Sequence, residues 1–248
     1  MDDCFIRYVG LCKAFAGKPV LSGVDLSVPR GQTVVVLGGS GSGKSVLLRH
    51  AVGLHQPDAG QVWIDGQDIT GLDEEQLIEV RKKIGMLFQA GALFDSMTVL
   101  DNVAFALREH TDWTEERIGE RVAEVLGLVE LDDVEGLMPA DLSGGMRKRV
   151  ALARAIALEP RALLYDEPTT GLDPITANTI DRLIRSLQQR LGVSSIVVTH
   201  NIRSAFSVGD RIAFLDAGRI LFEGSVEQAR RSGEPKLRAF IEGESHEG

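Results

Sequence analysis

The stretch Gly38-Gly39-Ser40-Gly41-Ser42-Gly43-Lys44-Ser45 has the spacing G-x-x-x-x-G-K-[ST]. Glycines let a backbone curl tightly enough for successive N–H groups to converge on phosphate oxygens. Lys44 brings a full positive charge for the outer phosphates, and the Ser45 hydroxyl is placed to ligate Mg²⁺. An apolar run, Val34-Val35-Val36-Leu37, precedes the turn, and Val46-Leu47-Leu48-Arg49 follows as a helix start that adds its partial positive charge. This context implies a nucleoside triphosphate site rather than a solvated glycine turn.

Four further features could do chemistry. Ser143 is a good helix N-cap, and Gly144 and Gly145 open that helix without obstructing side chains, which makes a second, separate anion site. Two such sites serve two phosphates or the completion of another subunit's site. Asp166 and Glu167 end an apolar strand, Ala162-Leu163-Leu164-Tyr165, where neighbouring side chains point to opposite sides. Asp166 is therefore suited to hold Mg²⁺ through water, and Glu167 to polarise an attacking water as general base. Gln89, after the strand Ile84 to Phe88, is either a solvated loop residue or an amide that reaches a metal or water. His200 ends the strand Ser195 to Val198 on the ligand-binding edge of a parallel sheet, which favours function over structure.

Those residues need elements to carry them. Phe5 to Leu11 and Val20 to Val28 read as strands around a turn at Gly17-Lys18-Pro19, with Phe15 either packing or stacking on a purine. Gln61 to Ile64 reads as a strand, and Asp73 caps a helix to about Lys83. From about Ala90 to Pro160 the chain turns helical, with amphipathic stretches Val99 to Glu109 and Thr114 to Leu128. We read this as a helical lobe inserted into an α/β core. The run Ala92 to Val99 is apolar for a loop and suits either buried packing or receipt of a partner helix. Arg147-Lys148-Arg149 reads as a solvated helix face. Pro174 to Leu191 is a long helix, Arg211 to Leu215 and Arg219 to Phe222 a hairpin, and Ser225 to Arg231 and Pro235 to Ile241 short helices. The acidic end from Glu242 is expected to be mobile.

Composition narrows the class. With 248 residues, 44% of them hydrophobic, the chain can bury a large core as one domain or two lobes. No apolar run nears the roughly 18–20 residues that span a bilayer, and the start has no basic and apolar signal pattern. Cys4 and Cys12 have no ligand partners at metal spacing and read as reduced thiols. A net charge of −9 does not suit general binding to nucleic acid or to an anionic bilayer, so any membrane link is expected to run through another protein.

Taken together, Gly38–Ser45, Gln89, Leu142–Met146, Tyr165-Asp166-Glu167, Gly171-Leu172-Asp173 and His200 resemble, in order and spacing, the ATP-binding subunit of ABC transporters. The resemblance implies an α/β fold. Its P-loop (RecA-like) core has a mostly parallel sheet and an antiparallel β subdomain (1–89 and 161–224), with a helical subdomain (90–160) and a C-terminal extension (225–248). It implies ATP and Mg²⁺, with Phe15 on the adenine, Gly39, Ser40, Gly41, Ser42, Gly43, Lys44, Ser45 and Val46 on the nucleotide, and Ser45, Gln89 and Asp166 at the metal. Glu167, His200 and Lys44 become catalytic, His200 as the γ-phosphate sensor and Gln89 as the reporter to a permease. Ser143, Gly144 and Gly145 contact the ATP held by a second copy, and Asp173 helps to join the two.

A narrower likeness, in Gln89–Val99 and Leu137–Met146, is to Mla-type ATPases. Those work with an Mce substrate-binding protein and move phospholipid between bacterial envelope membranes. This implies an integral-membrane permease, a small cytoplasmic accessory subunit, an Mce-type lipid-binding protein, no nucleic acid, and a place on the cytoplasmic face of the inner membrane. Met146 stands where most ABC ATPases have Gln. Rival readings are a non-transport ABC ATPase that transmits force to a membrane complex, an importer ATPase for another solute, and a soluble ABC ATPase of DNA repair or translation. The absence of an internal repeat and the net acidity disfavour the last.

Overall fold

The structure is a computed structural model and describes residues 3–243. In chain order its first elements are β1 (Cys4–Phe15), β2 (Lys18–Pro29), β3 (Thr33–Leu37), α1 (Lys44–Ala51), β4 (Ala59–Ile64), β5 (Gln67–Asp68) and α2 (Glu74–Arg81). Then come β6 (Ile84–Leu87), α3 (Val99–His110), α4 (Glu115–Leu128), α5 (Gly144–Ile156), β7 (Ala162–Asp166) and α6 (Pro174–Leu191). The chain finishes with β8 (Ser194–Thr199), α7 (Ile202–Val208), β9 (Arg211–Asp216), β10 (Arg219–Ser225), α8 (Val226–Arg230) and α9 (Pro235–Glu242). The acidic end expected to be mobile, 244–248, lies outside the described residues.

Backbone contacts divide the chain into residues 1–81 with 194–248, the first unit, and residues 82–193, the second. The sequence places 82–89 and 161–193 with the nucleotide-binding core. Their contacts group them with the helices instead, because β6 pairs with β7 and lies against α5.

In the first unit, β3 pairs in parallel with β8 (Val34↔Ile196, Leu37↔Thr199) and with β9, which forms an antiparallel hairpin with β10. Every residue of β3 and β8 is buried. Strands covered on both faces read as unbroken apolar runs rather than alternating ones. Each fully buried Val or Ile contributes roughly 1.5–3 kcal/mol. A second, antiparallel sheet runs β2-β1-β4-β5. Its inward face carries Ile6, Tyr8, Leu26, Val28, Val62 and Ile64, all buried. The Tyr8 hydroxyl donates to the Leu47 carbonyl of α1 at 3.2 Å, and burial pushes the phenol pKa up, so it stays a neutral donor. That bond ties the sheet to the helix after the glycine loop.

The first hairpin turns earlier than expected, and the second turns within the stretch expected of it, 216–218. Phe15 pairs with Lys18, so the turn is Ala16-Gly17 at φ 49° and 78°, and Lys18 and Pro19 belong to β2. Ala217-Gly218 repeats this at φ 44° and 75°. Two central residues at positive φ match the twist of the flanking strands, which lets both strands run further toward the turn. The sequence reading also missed α7, whose start is capped by Asn201 accepting from Ser204 N, and the two-residue β5.

In the second unit, β6 and β7 pair in parallel (Ile84↔Ala162, Leu87↔Tyr165). Gly85 lets α5 approach the strand: a Cβ there would sit 2.2 Å from the Ala155 carbonyl oxygen. The helices begin at side-chain caps, Thr98 for α3, Thr114 for α4, Ser143 for α5 and Asp173 for α6. Such caps satisfy backbone N–H groups that a helix cannot pair internally.

Candidate nucleotide site

The first unit carries the glycine loop from the end of β3 to the start of α1. Two of its members are sterically demanded: a Cβ at Gly38 would lie 2.3 Å from the Leu215 oxygen, and one at Gly43, at φ 108°, would meet the Val20 oxygen at 2.9 Å. Gly39, by contrast, meets nothing within 4 Å, so the fold leaves space beside its backbone. No side chain caps α1 at Gly43, and no acidic residue lies in its first turn, so its N–H groups and dipole suit an anion. Lys44 is buried, and its ammonium donates to the carbonyls of Gly38 and Gly39, both at 2.9 Å. Ser42 Oγ is buried with no hydrogen-bond partner. An orphaned hydroxyl within a cradle of N–H groups is the donor set a triphosphate would satisfy. Ser45 and Val46 follow on α1, half-buried, while Ser40 and Gly41 are exposed.

Phe15 stands at the tip of β1, 41% exposed. Its ring makes an edge contact with His55, centroids 5.2 Å apart, and Lys13 Nζ lies 5.6 Å from its centre. Lys13 is itself held by Asp58 and the Gln56 carbonyl, both at 2.8 Å. An exposed aromatic held in place this way offers a flat face for a base. Neighbouring His50 is structural: it is buried, its Nδ1 lies 2.8 Å from the Val46 oxygen, and burial lowers its pKa. His200 is exposed at the end of β8. The turn that carries it is fixed by Asn201 N donating to Thr199 Oγ1 at 3.0 Å.

In the second unit, Asp166 closes β7 and Glu167 leaves it, both buried. Glu167 has φ 48°, so that turn, rather than the strand pleat invoked from sequence, directs its side chain. Thr170 Oγ1 donates to Glu167 Oε2 at 3.2 Å. Ser143 is exposed, and its Oγ accepts from Met146 N at 3.2 Å. Gly145 is required by packing, since a Cβ would lie 2.5 Å from Thr176 Cγ2, whereas at Gly144 it would meet Leu172 Cδ2 only at 3.5 Å. Asp173 accepts from Ile175 N and Thr176 N at 3.0 and 3.1 Å. The Thr176 hydroxyl, donating to the same carboxylate, holds its pKa below the ordinary value. Gln89 is exposed just after β6.

The basic run is only in part the solvated face expected of it: Arg147 is exposed, Arg149 half-buried and Lys148 buried. Lys148 is only 6% exposed and donates to the Gln89 carbonyl. Arg147 donates to the Leu142 oxygen and Arg149 to the Glu130 oxygen, each at 2.8 Å. Burial pushes the Lys148 pKa down, while the charges of Asp166 and Glu167 push it up. Sequence reasoning also passed over Arg154, which donates to the Gly91 and Ala92 oxygens at 3.0 and 2.8 Å, and Asn102, fully buried under the following loop. The available signal was their helical spacing: Lys148 and Arg154 lie on α5 among Ala151, Leu152 and Ala155.

The model of the ABC transporter family matches residues 21–170. The MlaF intermembrane phospholipid transport ATP-binding protein of Haemophilus influenzae is 42% identical over 99% of this chain and 93% of its own length. Its Escherichia coli K12 counterpart is 42% identical over 90% and 83%. The probable ribonucleotide transport ATP-binding protein mkl of Mycobacterium tuberculosis is 42% identical over 96% of this chain, which spans 66% of that longer relative. Among solved structures, the ATP-binding cassette MJ0796, a dimer bound to ADP and Pi, aligns with a TM-score of 0.82 at 34% identity, covering 89% of this chain and 98% of that one. CbiO1 of Clostridium perfringens aligns with a TM-score of 0.86 at 28% identity, covering 97% and 96%. The glycine loop before α1, the Asp-Glu pair that ends β7 and the Ser-Gly-Gly start of α5 thus stand on a P-loop α/β fold, and the chain belongs to the ABC transporter family.

Proposed function

We propose that this chain hydrolyses ATP to drive phospholipid transport between bacterial envelope membranes, acting through a separate permease. One observation carries the catalytic part: a glycine loop with an orphaned Ser42 hydroxyl and an uncapped helix start occurs in the same chain as a buried Asp166-Glu167 pair. In this reading Phe15 stacks on the adenine, and Gly39 to Val46 hold the phosphates. Ser45, Gln89 and Asp166 would hold Mg²⁺, which supplies charge neutralisation for the leaving diphosphate. Lys44 stabilises charge on the outer phosphates. Glu167 orients a water and takes its proton, and His200 senses the γ-phosphate. Ser143, Gly144 and Gly145 of a second copy complete the site, with Asp173 at the junction. Closure follows because two copies that share a γ-phosphate bind it better closed than open.

The MJ0796 cassette, similar over 89% of this chain and dimeric, supports the homodimer. No helix among the described residues is long and apolar enough to cross a membrane. In this reading the chain sits on the cytoplasmic face of the inner membrane and is held there by an integral-membrane permease, with a small accessory subunit and an Mce-type protein in the same assembly. For the permease we assign the loop after β6: Phe94 and Phe105 are exposed with centroids 5.1 Å apart, beside a groove of about 370 Å³ lined by Ala92, Leu93, Asp95, Pro139 and Arg147. Exposed apolar side chains around a groove suit an amphipathic helix. The extension from Ser225, α8 and α9, reaches toward the second copy.

Glu167→Gln tests the catalytic reading. The variant is expected to bind ATP, dimerise and turn over at least about a hundredfold more slowly, as loss of a general base implies. Turnover at the parent rate would refute the role of Glu167. The mkl relatives favour a second cargo, ribonucleotide, at the same identity. The match over 93% of the H. influenzae protein, against 66% of mkl, favours phospholipid. ATP-dependent transfer of labelled phospholipid between membranes by the reconstituted complex, and its absence for labelled ribonucleotide, separates the two.

A further inference from the structure

Lys148 is a buried ammonium that the proposed chemistry does not use. It sits one turn into α5, the helix that begins at Ser143, and its Nζ donates to the backbone oxygen of Gln89. Two carboxylates of the same unit, Asp166 and Glu167 at the end of β7, are the charges that act on it. Burial of an ammonium is costly unless fixed partners compensate, so its position is set tightly by those partners. Two turns further along α5, Arg154 binds the next carbonyls of the same loop, Gly91 and Ala92, and its guanidinium lies 5.7 Å from the Phe94 ring centre. Gly91 itself packs on Ala151, with a would-be Cβ 3.8 Å from Ala151 Cβ. Three of the loop's backbone oxygens, those of Gln89, Gly91 and Ala92, are therefore held by side chains of one helix. Its own backbone bonds are few, chiefly Gly91 N to Phe88 O at 2.8 Å.

We propose that Lys148 is a positioning residue for ATP hydrolysis: it locks the backbone of Gln89 to the helix that starts at Ser143, so that the Gln89 side chain and the Ser143-Gly144-Gly145 start shift together. The inference rests on the reading of Gln89 and Ser143 as nucleotide-site residues. A helix is stiff along its axis, whereas a loop with few internal bonds is not, so a displacement of the loop reaches the helix start only through such ties. Arg154 holds the segment that leads to Phe94, and Lys148 holds the segment that carries Gln89.

The test measures steady-state ATPase activity of the full chain against Mg²⁺ concentration for Lys148→Met, which fills the same space without a donor, and for Lys148→Arg, which keeps the charge. Nucleotide affinity is measured separately in EDTA. Lys148→Met is expected to lower kcat about tenfold or more and to raise the Mg²⁺ concentration for half-maximal rate about threefold or more, since small misplacements near reacting groups have large kinetic effects. Lys148→Arg is expected to recover most of both, with affinity in EDTA unchanged in each. Lys148→Leu, also without a donor, takes the place of Lys148→Met if the latter does not fold. A Lys148→Met protein within twofold of the parent, an unaltered Mg²⁺ dependence, or a Lys148→Arg protein no better than Lys148→Met overturns the inference. Parent-rate hydrolysis by both Gln89→Ala and Ser143→Ala would instead remove the reading of those two as nucleotide-site residues, and this inference with it. A slow Gln89→Ala or Ser143→Ala protein alongside a parent-like Lys148→Met sinks the Lys148 role alone.

Discussion

Asn102 on α3 is fully buried, and its amide organises the loop that we assign to the permease. Its Oδ1 accepts from Phe94 N at 2.8 Å, and its Nδ2 lies 3.1, 3.1 and 3.0 Å from the oxygens of Phe94, Met97 and Thr98. Asn102→Ala removes all of these at once, but the losses are unequal. The Phe94 oxygen keeps Met97 N at 3.1 Å, and the Thr98 oxygen keeps Asn102 N at 2.9 Å. The Phe94 N–H loses its Asn102 acceptor in a part-buried setting, which costs about 1–3 kcal/mol. Adding about 1 kcal/mol for the weakened Met97 carbonyl and the space left behind gives roughly 2–4 kcal/mol in all.

Urea denaturation followed by circular dichroism measures this directly. The same loss lowers the thermal midpoint by about 2–4 °C per kcal/mol for a chain of this size. Asn102→Asp sharpens the test, because it keeps the acceptor for Phe94 N and turns a carboxyl oxygen toward three carbonyl oxygens. In that environment the folded-state pKa of the new carboxyl is raised, so the folded chain binds the proton more tightly than the unfolded one. Stability of that variant should then be best near or below pH about 4 and fall as pH rises through the folded pKa. An Asn102→Ala protein within about 0.5 kcal/mol of the parent, or an Asn102→Asp protein whose deficit does not grow with pH, would refute the reasoning.

Two further outcomes are expected. Phe15→Ala should weaken ATP binding by about 1–3 kcal/mol, the range for one base–aromatic stack, with an unchanged thermal midpoint because the ring is 41% exposed; calorimetric titration reads the first and a melt the second. Asp173 has its pKa lowered by the Thr176 hydroxyl and by backbone donors, so the unfolded chain binds its proton more readily. Its capping contribution is therefore present above pH about 4 and lost as pH falls through the depressed value. The gap in stability between the parent and Asp173→Ala should narrow in acid, and a gap that stays constant would count against the cap.

Much of this protein is written in short-range chemistry. The glycine loop, the apolar runs of β3, β7 and β8, and the caps at Ser143 and Asp73 are legible because each depends on a few neighbouring residues. Backbone geometry at Gly43, or an N-cap oxygen facing the N–H two or three residues on, needs no distant partner. The order of these pieces along the chain is enough to suggest the ABC family. Lys148 is different. Its sequence neighbours are two arginines that resemble any solvated helix face, and only the arrival of Gln89 from 59 residues away makes it a buried tie. Asn102 and Arg154 were hidden for the same reason, since a polar side chain looks alike in sequence whether water or a loop's carbonyls receive its hydrogens. Local sequence determined where helices and strands begin; the tertiary structure decided which charges leave water, because burial depends on what the rest of the chain brings to the other side.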